Sequence, residues 1–291
     1  MRIAYFGLGT MGGAMAGHIR ASGRDLRLFN RSRPRAEAWG AQHGGTVMPT
    51  IADAAQGADI AFTCLSDDRA TAEIVTGSGG LIEMMAPGSL VVDHGSGSPA
   101  FARELAERLA ARGIDFFDAP VTGGSRAAHE GTLTIMAGAR PDKLAIAEPV
   151  MRCYATDIVS MGDVGAGHQT KLVNVVIGQG TSLAVAEGLG FAMAAGLDPA
   201  KVTEVLLKGS SRSWLLEHRS AAMIARDFQP LYPMTMAGKD LDNVLAEARE
   251  CCAPLPLTAM IRQFVMMLAN RHGADQDLAA IIRLYTEAQH A

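Results

Sequence analysis

A glycine-rich turn near the start of the chain constrains its fold more than any other feature. The apolar run at residues 2–6 ends at Gly7, and a helical pattern covers residues 11–21. In a GxGxxG turn the first glycine permits a tight turn, the second lets the backbone approach a pyrophosphate, and the third allows close packing. The helix N-terminus then offers N–H groups to phosphate. The turn therefore predicts dinucleotide binding by Gly7, Leu8, Gly9, Thr10, Met11 and Gly12.

The first half of the chain alternates between strand-like and helical segments. Short apolar runs occur at residues 2–6, 25–29, 59–65, 89–93, 115–118 and 132–137, with helical stretches such as 101–112 between them. Such alternation is typical of βαβ units joined by right-handed crossovers. The sequence predicts an α/β fold with an N-terminal Rossmann-type, doubly wound parallel sheet over residues 1–163.

The second half reads as helical throughout. A long helix is predicted at 167–195, with shorter ones at 199–208, 241–250, 257–271 and 277–289; Asp198 and Pro199 have the cap-then-proline pattern of a helix start. Residues 175–197 are long and apolar enough to span a membrane, but the central Glu187 makes insertion costly. We therefore expect a buried core helix, no membrane partner, and an all-α domain at 164–291 that serves substrate binding and oligomerisation.

Composition excludes several classes of protein. The 291 residues are 48% hydrophobic, which excludes a disordered chain, and a formal charge of −4 counts against a nucleic-acid binder. The four cysteines include no CxxC pair, so neither a disulfide framework nor a zinc site is expected. Gly7 and Gly9 interrupt the first apolar run, which disfavours a signal peptide. A cytoplasmic location is the simplest expectation, with no metal.

The end of the second strand bears on cofactor choice. NAD enzymes usually place an acidic residue about 20 residues after the glycines. This chain instead has Asn30, Arg31 and Ser32, followed by Arg33 and Arg35. Donors and a fixed cation suit a 2′-phosphate, so the sequence predicts NADP rather than NAD. The alternative is that the arginines form a solvated helix start.

Two later motifs carry candidate chemistry. Thr122, Gly123 and Gly124 follow a strand that ends at Asp118, where backbone N–H groups can face an anion, although an ordinary loop would look similar. Near the start of the long helix, Lys171 and Asn174 share one helical face. A partly desolvated lysine can transfer a proton. From spacing alone, a lysine extending to solvent is an equal alternative.

Five ordered motifs together resemble the β-hydroxyacid dehydrogenase family over essentially the whole chain. They are the glycine turn at 7–12, the stretch 118–124 continuing to Gly131-Thr132-Leu133, the segment 165–174, Gly238-Lys239-Asp240-Leu241, and Leu255-Pro256-Leu257-Thr258. The resemblance implies that Lys171 is the catalytic proton donor or acceptor. It implies substrate contacts from Thr122, Gly123, Gly124, Asn174 and Asp240, and cofactor contacts from Leu65, Ser66, Ser96 and Lys239.

The chain departs from the family pattern around both pockets. The usual Asp-x-Ser-Thr reads Asp93-His94-Gly95-Ser96, a usual glycine is Ala127, and a usual serine is Ala279. These departures make transfer of a substrate from any one member unsafe. His94, His129 and His168 flank the motifs without metal-ligand spacing, and we interpret them as surface residues or residues outside the first contact layer.

The function implied is NADP(H)-dependent interconversion of a small semialdehyde or keto acid and its hydroxyacid. Three alternatives were weighed. Chains of 6-phosphogluconate dehydrogenases are longer and carry histidine at the position of Asn174, and imine reductases usually replace the lysine at position 171. The third alternative is a non-catalytic NADP-binding scaffold, which the departures at Gly95 and Ala127 leave open. The apolar long helix predicts a homo-oligomer, either a dimer or a tetramer.

Overall fold

A computed structural model describes residues 1–287, and these form two compact units. The first unit is Met1–Lys171 and the second begins at Leu172. The division therefore falls inside the long helix, after the boundary at 163 suggested by the sequence.

The first unit is built on one nine-stranded sheet. Its strands are β1 Ile3–Phe6, β2 Leu26–Phe29, β3 Thr46–Val47, β4 Ile60–Thr63, β5 Leu90–Asp93, β6 Asp115–Asp118, β7 Val121–Thr122, β8 Leu133–Gly138 and β9 Ala155–Gly162. The spatial order is β3-β2-β1-β4-β5-β6-β8-β7, with β9 paired to β8. The order 3-2-1-4-5-6 of the first six strands is that of a doubly wound dinucleotide-binding fold, so the predicted fold class is confirmed.

The sheet is parallel, as predicted, over its first six strands and mixed beyond them. Strands β1 to β6 run parallel, whereas β8 is antiparallel to both β6 and β7 and parallel to β9. The sequence also gave no sign of β3, β7 or β9. Strand β9 lies at the edge of the sheet with most of its residues exposed, so it lacks the apolar run that marks a buried strand.

Helices cover both faces of this sheet. They are α1 Thr10–Ala21, α2 Arg33–His43, α3 Ile51–Ala55, α4 Asp68–Thr76, α5 Leu81–Met84, α6 Pro99–Ala110, α7 Gly124–Glu130 and α8 Pro141–Met151. In β1, Ile3 and Tyr5 enter one core, while Ala4 and Phe6 enter the other. This alternation is the two-residue period of a strand buried on both faces.

Helix α9, Ala166–Ala194, continues from the first unit into the second. By length and mean hydropathy alone it could cross a membrane, and 39% of its most apolar window is buried. Leu183, Ala186 and Leu189 pack into the core of the second unit. Val173, Ile177 and Phe191 are 57, 64 and 72% exposed. The helix is therefore a core helix along one side and presents an exposed apolar stripe along another.

The second unit is helical in its described residues. Its elements are α10 Pro199–Leu206, α11 Trp214–Ala225, α12 Met234–Glu250, α13 Pro256–His272, a 3-10 helix Leu278–Ile282 and α14 Arg283–Thr286. The side chain of Asp198 accepts from Ala200 and Lys201 N–H, which confirms the predicted cap of α10.

Three helix predictions need correction. Helix α11 was not predicted, and α12 begins at Met234 rather than at 241, with Gly238 inside the helix. The predicted helix 277–289 is a 3-10 turn followed by one short α-helix. Positions 288 and 289 of that prediction lie outside the described residues.

Candidate active site

The register of the sheet places the predicted motifs of the first unit along one edge. Phe6, Thr63, Asp93 and Asp118 are paired in sequence across β1, β4, β5 and β6, and each is the last residue of its strand. The segments that follow these strands carry the glycine turn, Leu65 and Ser66, Ser96, and Thr122 to Gly124. The carboxyl edge of an open α/β sheet is where such folds bind ligands.

The three glycines of the turn have different surroundings. Gly7 has φ +100°, and a Cβ there or at Gly12 would overlap a neighbouring carbonyl oxygen, that of Cys64 or Gly7 respectively. A Cβ at Gly9 would meet no protein atom within 4 Å. Gly9 is also the N-cap of α1 and provides no side-chain cap. Gly7 and Gly12 therefore close the turn, while Gly9 leaves space at a helix N-terminus suited to phosphate.

The other residues of the turn divide between core and solvent. Leu8 is buried, Met11 is half-buried against the core, and Thr10 is exposed at the start of α1. Behind the turn, Cys64 is half-buried, and desolvation raises the pKa of its thiol to about 12. All four cysteines carry free thiols.

Asn30, which follows β2, stabilises the glycine turn through hydrogen bonds. Its Oδ1 accepts the Leu8 N–H at 2.9 Å, and its Nδ2 donates to the Ser32 carbonyl at 3.0 Å. Arg31 and Ser32 are exposed beside it. Arg33 pairs with Glu37 at 2.8 Å, whereas Arg31 makes no ion pair among residues 1–287. Contact between Arg31 and a 2′-phosphate stays a prediction.

The loops after β4 and β5 hold the predicted nicotinamide-side residues. Leu65 lies against Gly7, since a Cβ on that glycine would be 2.9 Å from Leu65 Cδ2. Ser66 donates from Oγ to Asp67 at 2.9 Å. Ser96 is half-buried in the turn after β5, and that turn is fixed by the Gly95 N–H donating to Asp93 at 3.0 Å.

Lys171 lies at the Thr122–Gly124 loop. Its Nζ donates to the Val121 carbonyl oxygen at 2.9 Å, and Thr122 follows directly. Gly123 and Gly124 have φ +125° and +72°, and a Cβ on Gly124 would meet no atom within 4 Å. The amine and the open backbone of this loop therefore lie together, and their roles as proton donor and anion-binding loop stay predictions.

The departure at position 127 fills space behind the same loop. A Cβ on Gly123 would lie 2.6 Å from Ala127 Cβ, so the methyl group of Ala127 packs directly against this glycine. A glycine at 127 would leave that contact empty. Ala127 therefore supports the loop without occupying its open side.

The remaining predicted residues belong to the second unit. Asn174 is exposed on α9, one helical turn after Lys171. Lys239 Nζ lies 3.0 Å from Asp240 Oδ1, and Tyr232 donates from its hydroxyl to Asp240 Oδ2 at 2.6 Å. Burial and the adjacent Asp240 raise the pKa of Tyr232 well above its usual range.

The contacts of Asp240 are with its own unit. Asp240 is 5% exposed, and both of its carboxylate oxygens contact neighbouring side chains. The observed role is to hold Lys239 and Tyr232, and substrate contact by Asp240 stays a prediction. Sequence reasoning missed Tyr232, which no motif marks.

Two of the flanking histidines are buried, which excludes a surface position for them; a place outside the first contact layer stays a prediction. His94 is 3% exposed, with Nδ1 2.6 Å from the Ala119 carbonyl and Nε2 2.8 Å from the Tyr154 hydroxyl. His168 is 1% exposed between Asp93 and Asp118. His129 is exposed as expected. Within the part of the chain that the structure describes, no cluster of three potential metal ligands occurs.

Comparisons with known proteins agree with this architecture. The NAD-binding domain family of 6-phosphogluconate dehydrogenase matches residues 2–162, and the NAD-binding family of NADP-dependent 3-hydroxyisobutyrate dehydrogenase matches residues 165–285. Together, the fold and these matches define an NAD(P)-binding oxidoreductase.

Similar proteins narrow the class to a family. An uncharacterised oxidoreductase of Shewanella frigidimarina is 38% identical over 97% of both chains. The 2-(hydroxymethyl)glutarate dehydrogenase of Eubacterium barkeri is 32% identical over 99% of this chain and 95% of its own. A Mycobacterium tuberculosis 3-hydroxyisobutyrate dehydrogenase structure with L-serine is 26% identical, with TM-score 0.86 over 98% of this chain and 99% of its own. The chain belongs to the β-hydroxyacid dehydrogenase family.

The contrast between Gly9 and Gly12 gives a matched pair of variants. We expect Gly12→Ala to lose about 1–3 kcal/mol of unfolding free energy or more, because its methyl group overlaps the Gly7 carbonyl. Gly9→Ala should lose no more than about 1 kcal/mol, the cost of a poorer cap, yet bind NADPH at least ten-fold more weakly. Urea unfolding and NADPH fluorescence titration measure the two effects. Normal NADPH binding by Gly9→Ala would contradict this role for the open side of the turn.

Proposed function

We propose that this chain is an NADP-preferring oxidoreductase that interconverts a small semialdehyde or keto acid and the corresponding hydroxyacid. The observation that carries the proposal is the position of the Lys171 amine, 2.9 Å from the Val121 carbonyl and beside the open backbone of Thr122 to Gly124. The same sheet edge carries the glycine turn. The names of the relatives support the substrate class, since 2-(hydroxymethyl)glutarate and L-serine both join a hydroxyl group to a carboxylate.

The residues around the turn fit an NADP molecule. Gly9 leaves the space that a pyrophosphate requires, and the N-terminus of α1 carries no side-chain cap. Arg31 supports a preference for the 2′-phosphate, since it is exposed beside the end of β2 without an ion pair in the described residues. Asn30 holds the Leu8 N–H through its Oδ1 and keeps a second amide N–H for the cofactor, and Ser32 offers a hydroxyl.

In the proposed mechanism this chain binds and orients the substrate and moves one proton. NADPH, when bound, supplies the hydride that is added to the substrate carbonyl carbon. The Lys171 amine donates a proton to the carbonyl oxygen as it becomes a hydroxyl, and takes that proton back in the oxidative direction. Backbone N–H groups of Gly123 and Gly124, with the Thr122 hydroxyl, bind the substrate carboxylate, and the Asn174 amide orients the reacting oxygen.

Other residues complete the proposed cofactor contacts. Leu65, Ser66 and Ser96 would line the nicotinamide half, since they follow β4 and β5 at the edge that carries the turn. Lys239 would contact the cofactor, with its amine held by Asp240. The four free thiols support a reducing compartment such as the cytoplasm.

We also propose that the chain assembles as a homo-oligomer, a dimer or a tetramer, through α9. The exposed stripe of Val173, Ile177 and Phe191 supports this, because a row of large apolar side chains is costly to leave in water. Light scattering at micromolar concentration should give at least a dimer, and Phe191→Glu should weaken it. A wild-type monomer of 30.5 kDa would contradict the proposal.

Cofactor preference is expected to depend on Arg31. Arg31→Ala should weaken NADPH binding by roughly 1.5–3 kcal/mol, the value of a charge-assisted contact, and leave NADH binding nearly unchanged. Arg35→Ala removes an exposed cation from the same helix start and should change neither. Titration of both cofactors measures the difference. Equal losses for NADPH and NADH in Arg31→Ala would mean that Arg31 does not read the 2′-phosphate.

Turnover is expected to depend on Lys171. Lys171→Ala should lower kcat by on the order of 10²–10⁴-fold, the usual contribution of general acid catalysis, while NADPH affinity barely changes. Lys171→Arg should also be slow, because a guanidinium holds its proton too firmly. Lys201→Ala, in exposed α10, is the control.

The measurement for Lys171 is stopped-flow hydride transfer with glyoxylate, several semialdehydes and several imines as substrates. Near-normal turnover of Lys171→Ala would exclude the proposed mechanism. A wild-type protein that reduces only imines would favour an imine reductase. A wild-type protein that binds NADPH without turnover would favour a non-catalytic scaffold.

A further inference from the structure

His168 lies between two buried carboxylates at the start of α9. Its Nε2 is 3.8 Å from Asp93 Oδ2, and its Nδ1 is 3.9 Å from Asp118 Oδ2. The ring is 1% exposed, while Asp93 and Asp118 are 4% and 0% exposed. Neither ring nitrogen has a hydrogen-bond partner within the described residues. The distances are those of ion pairs, so charge is the interaction available to this ring.

Each carboxylate also holds a segment of the candidate site. Asp93 accepts from the Thr63 hydroxyl at 2.7 Å and from the Gly95 N–H at 3.0 Å, which fixes the turn that leads to Ser96. Asp118 accepts from the Gly165 and His168 N–H groups at 2.7 and 2.6 Å, which fixes the start of α9. Lys171 follows one helical turn after His168. The ring therefore joins the predicted nicotinamide-side turn to the helix that carries the predicted proton donor.

The carboxylate of Asp68 also lies near the His168 ring. A Cβ on Gly97 would lie 2.6 Å from Asp68 Oδ1 and 3.2 Å from His168 Cε1, and Asp68 accepts the Ser98 N–H at 3.1 Å. Acidic groups thus approach the ring from β5, β6 and α4. Burial raises the pKa of Asp118, and the neighbouring His168 opposes that rise. Without a positive charge nearby, buried carboxylates at this spacing repel one another.

The hydrogen-bonding chemistry of the His168 ring indicates which of its protonation states fits between two carboxylates. A neutral imidazole has one protonated nitrogen and one bare nitrogen, and here the bare nitrogen would face a carboxylate oxygen. An imidazolium carries a proton on both nitrogens and matches two acceptors. We propose that His168 is a positioning residue, a cation held between Asp93 and Asp118 that fixes the start of α9, and with it Lys171, against the turn that carries Ser96. The part of this inference that concerns Lys171 rests on the proposed function.

A pair of variants separates charge from volume. His168→Met replaces the ring with an apolar side chain of similar length, so that two buried carboxylates are left without a cation. We expect kcat to fall at least ten-fold at pH 8, with NADPH affinity within three-fold of wild type. The loss should shrink as pH falls, because protonation of one of the buried carboxylates relieves the repulsion. Asp93→Asn added to His168→Met should restore kcat to within three-fold of Asp93→Asn alone, because one carboxylate has been neutralised.

A different result for His168→Met would overturn the proposal. A loss of kcat in His168→Met that is independent of pH and is not restored by Asp93→Asn would mean that the ring only fills space, and would overturn the proposal. If His168→Met does not fold, thermal unfolding of the double variant applies the same criterion: a folded double variant supports the proposal, and an unfolded one counts against it.

The wild-type protein provides a test that does not depend on turnover. In ¹⁵N-histidine-labelled protein at pH 7, we expect His168 to show two protonated ring nitrogens. His94 is the matched control, because it is equally buried but lies between a carbonyl and a hydroxyl, and burial lowers its pKa. A neutral His168 ring would overturn the proposal. If wild type turns over no hydroxyacid, the proposed function fails, while this spectrum still decides the charge of His168.

Discussion

The carboxylate of Asp118 connects the sheet of the first unit to the helix that carries Lys171. Asp118 is the last residue of β6 and is fully buried. Its carboxylate accepts hydrogen bonds from the backbone N–H groups of Gly165 and His168. The contact is possible only because the neighbouring backbone is bare: a Cβ on Gly138 would overlap the Asp118 carboxylate, and one on Gly167 would overlap the Met136 carbonyl. A carboxylate at a helix N-terminus is also favoured by the helix dipole. The position of Lys171 at the Val121 carbonyl depends on this attachment.

Much of the first unit could be predicted from the sequence because its strands and turns leave local signals. Strands β1, β4 and β5 are buried on both faces and read as apolar runs, and the spacing of Gly7, Gly9 and Gly12 marks the turn between β1 and α1. Lys171 and Thr122 to Gly124 were singled out by their positions at a helix start and after a strand, and the resemblance supplied their roles. Their proximity in the structure is a fact that spacing alone had left open.

The parts that sequence reasoning missed depend on contacts between distant residues. Strand β9 is an exposed edge that exists because β8 offers it hydrogen bonds, and β7 is only two residues long. The environment of His168 is formed by Asp93 and Asp118, which are far away in the chain, so a lone histidine near a helix start gave no reason to expect burial. The brace from Asn30 to Leu8 was likewise hidden, because a polar residue at the end of β2 is equally compatible with binding a ligand.

The environment of Cys64 has a chemical consequence for a protein that handles a redox cofactor. Its thiol lies directly behind the glycine turn, where a disulfide or a sulfenic acid would disturb the packing of Gly7 and Gly12. Oxidants and alkylating reagents react with thiolates, and a pKa of about 12 keeps this sulfur protonated throughout the physiological range. Cys251 and Cys252 are exposed, so reactive electrophiles meet those sulfurs first. Oxidative damage would thus accumulate on the helical surface before it reached the cofactor turn.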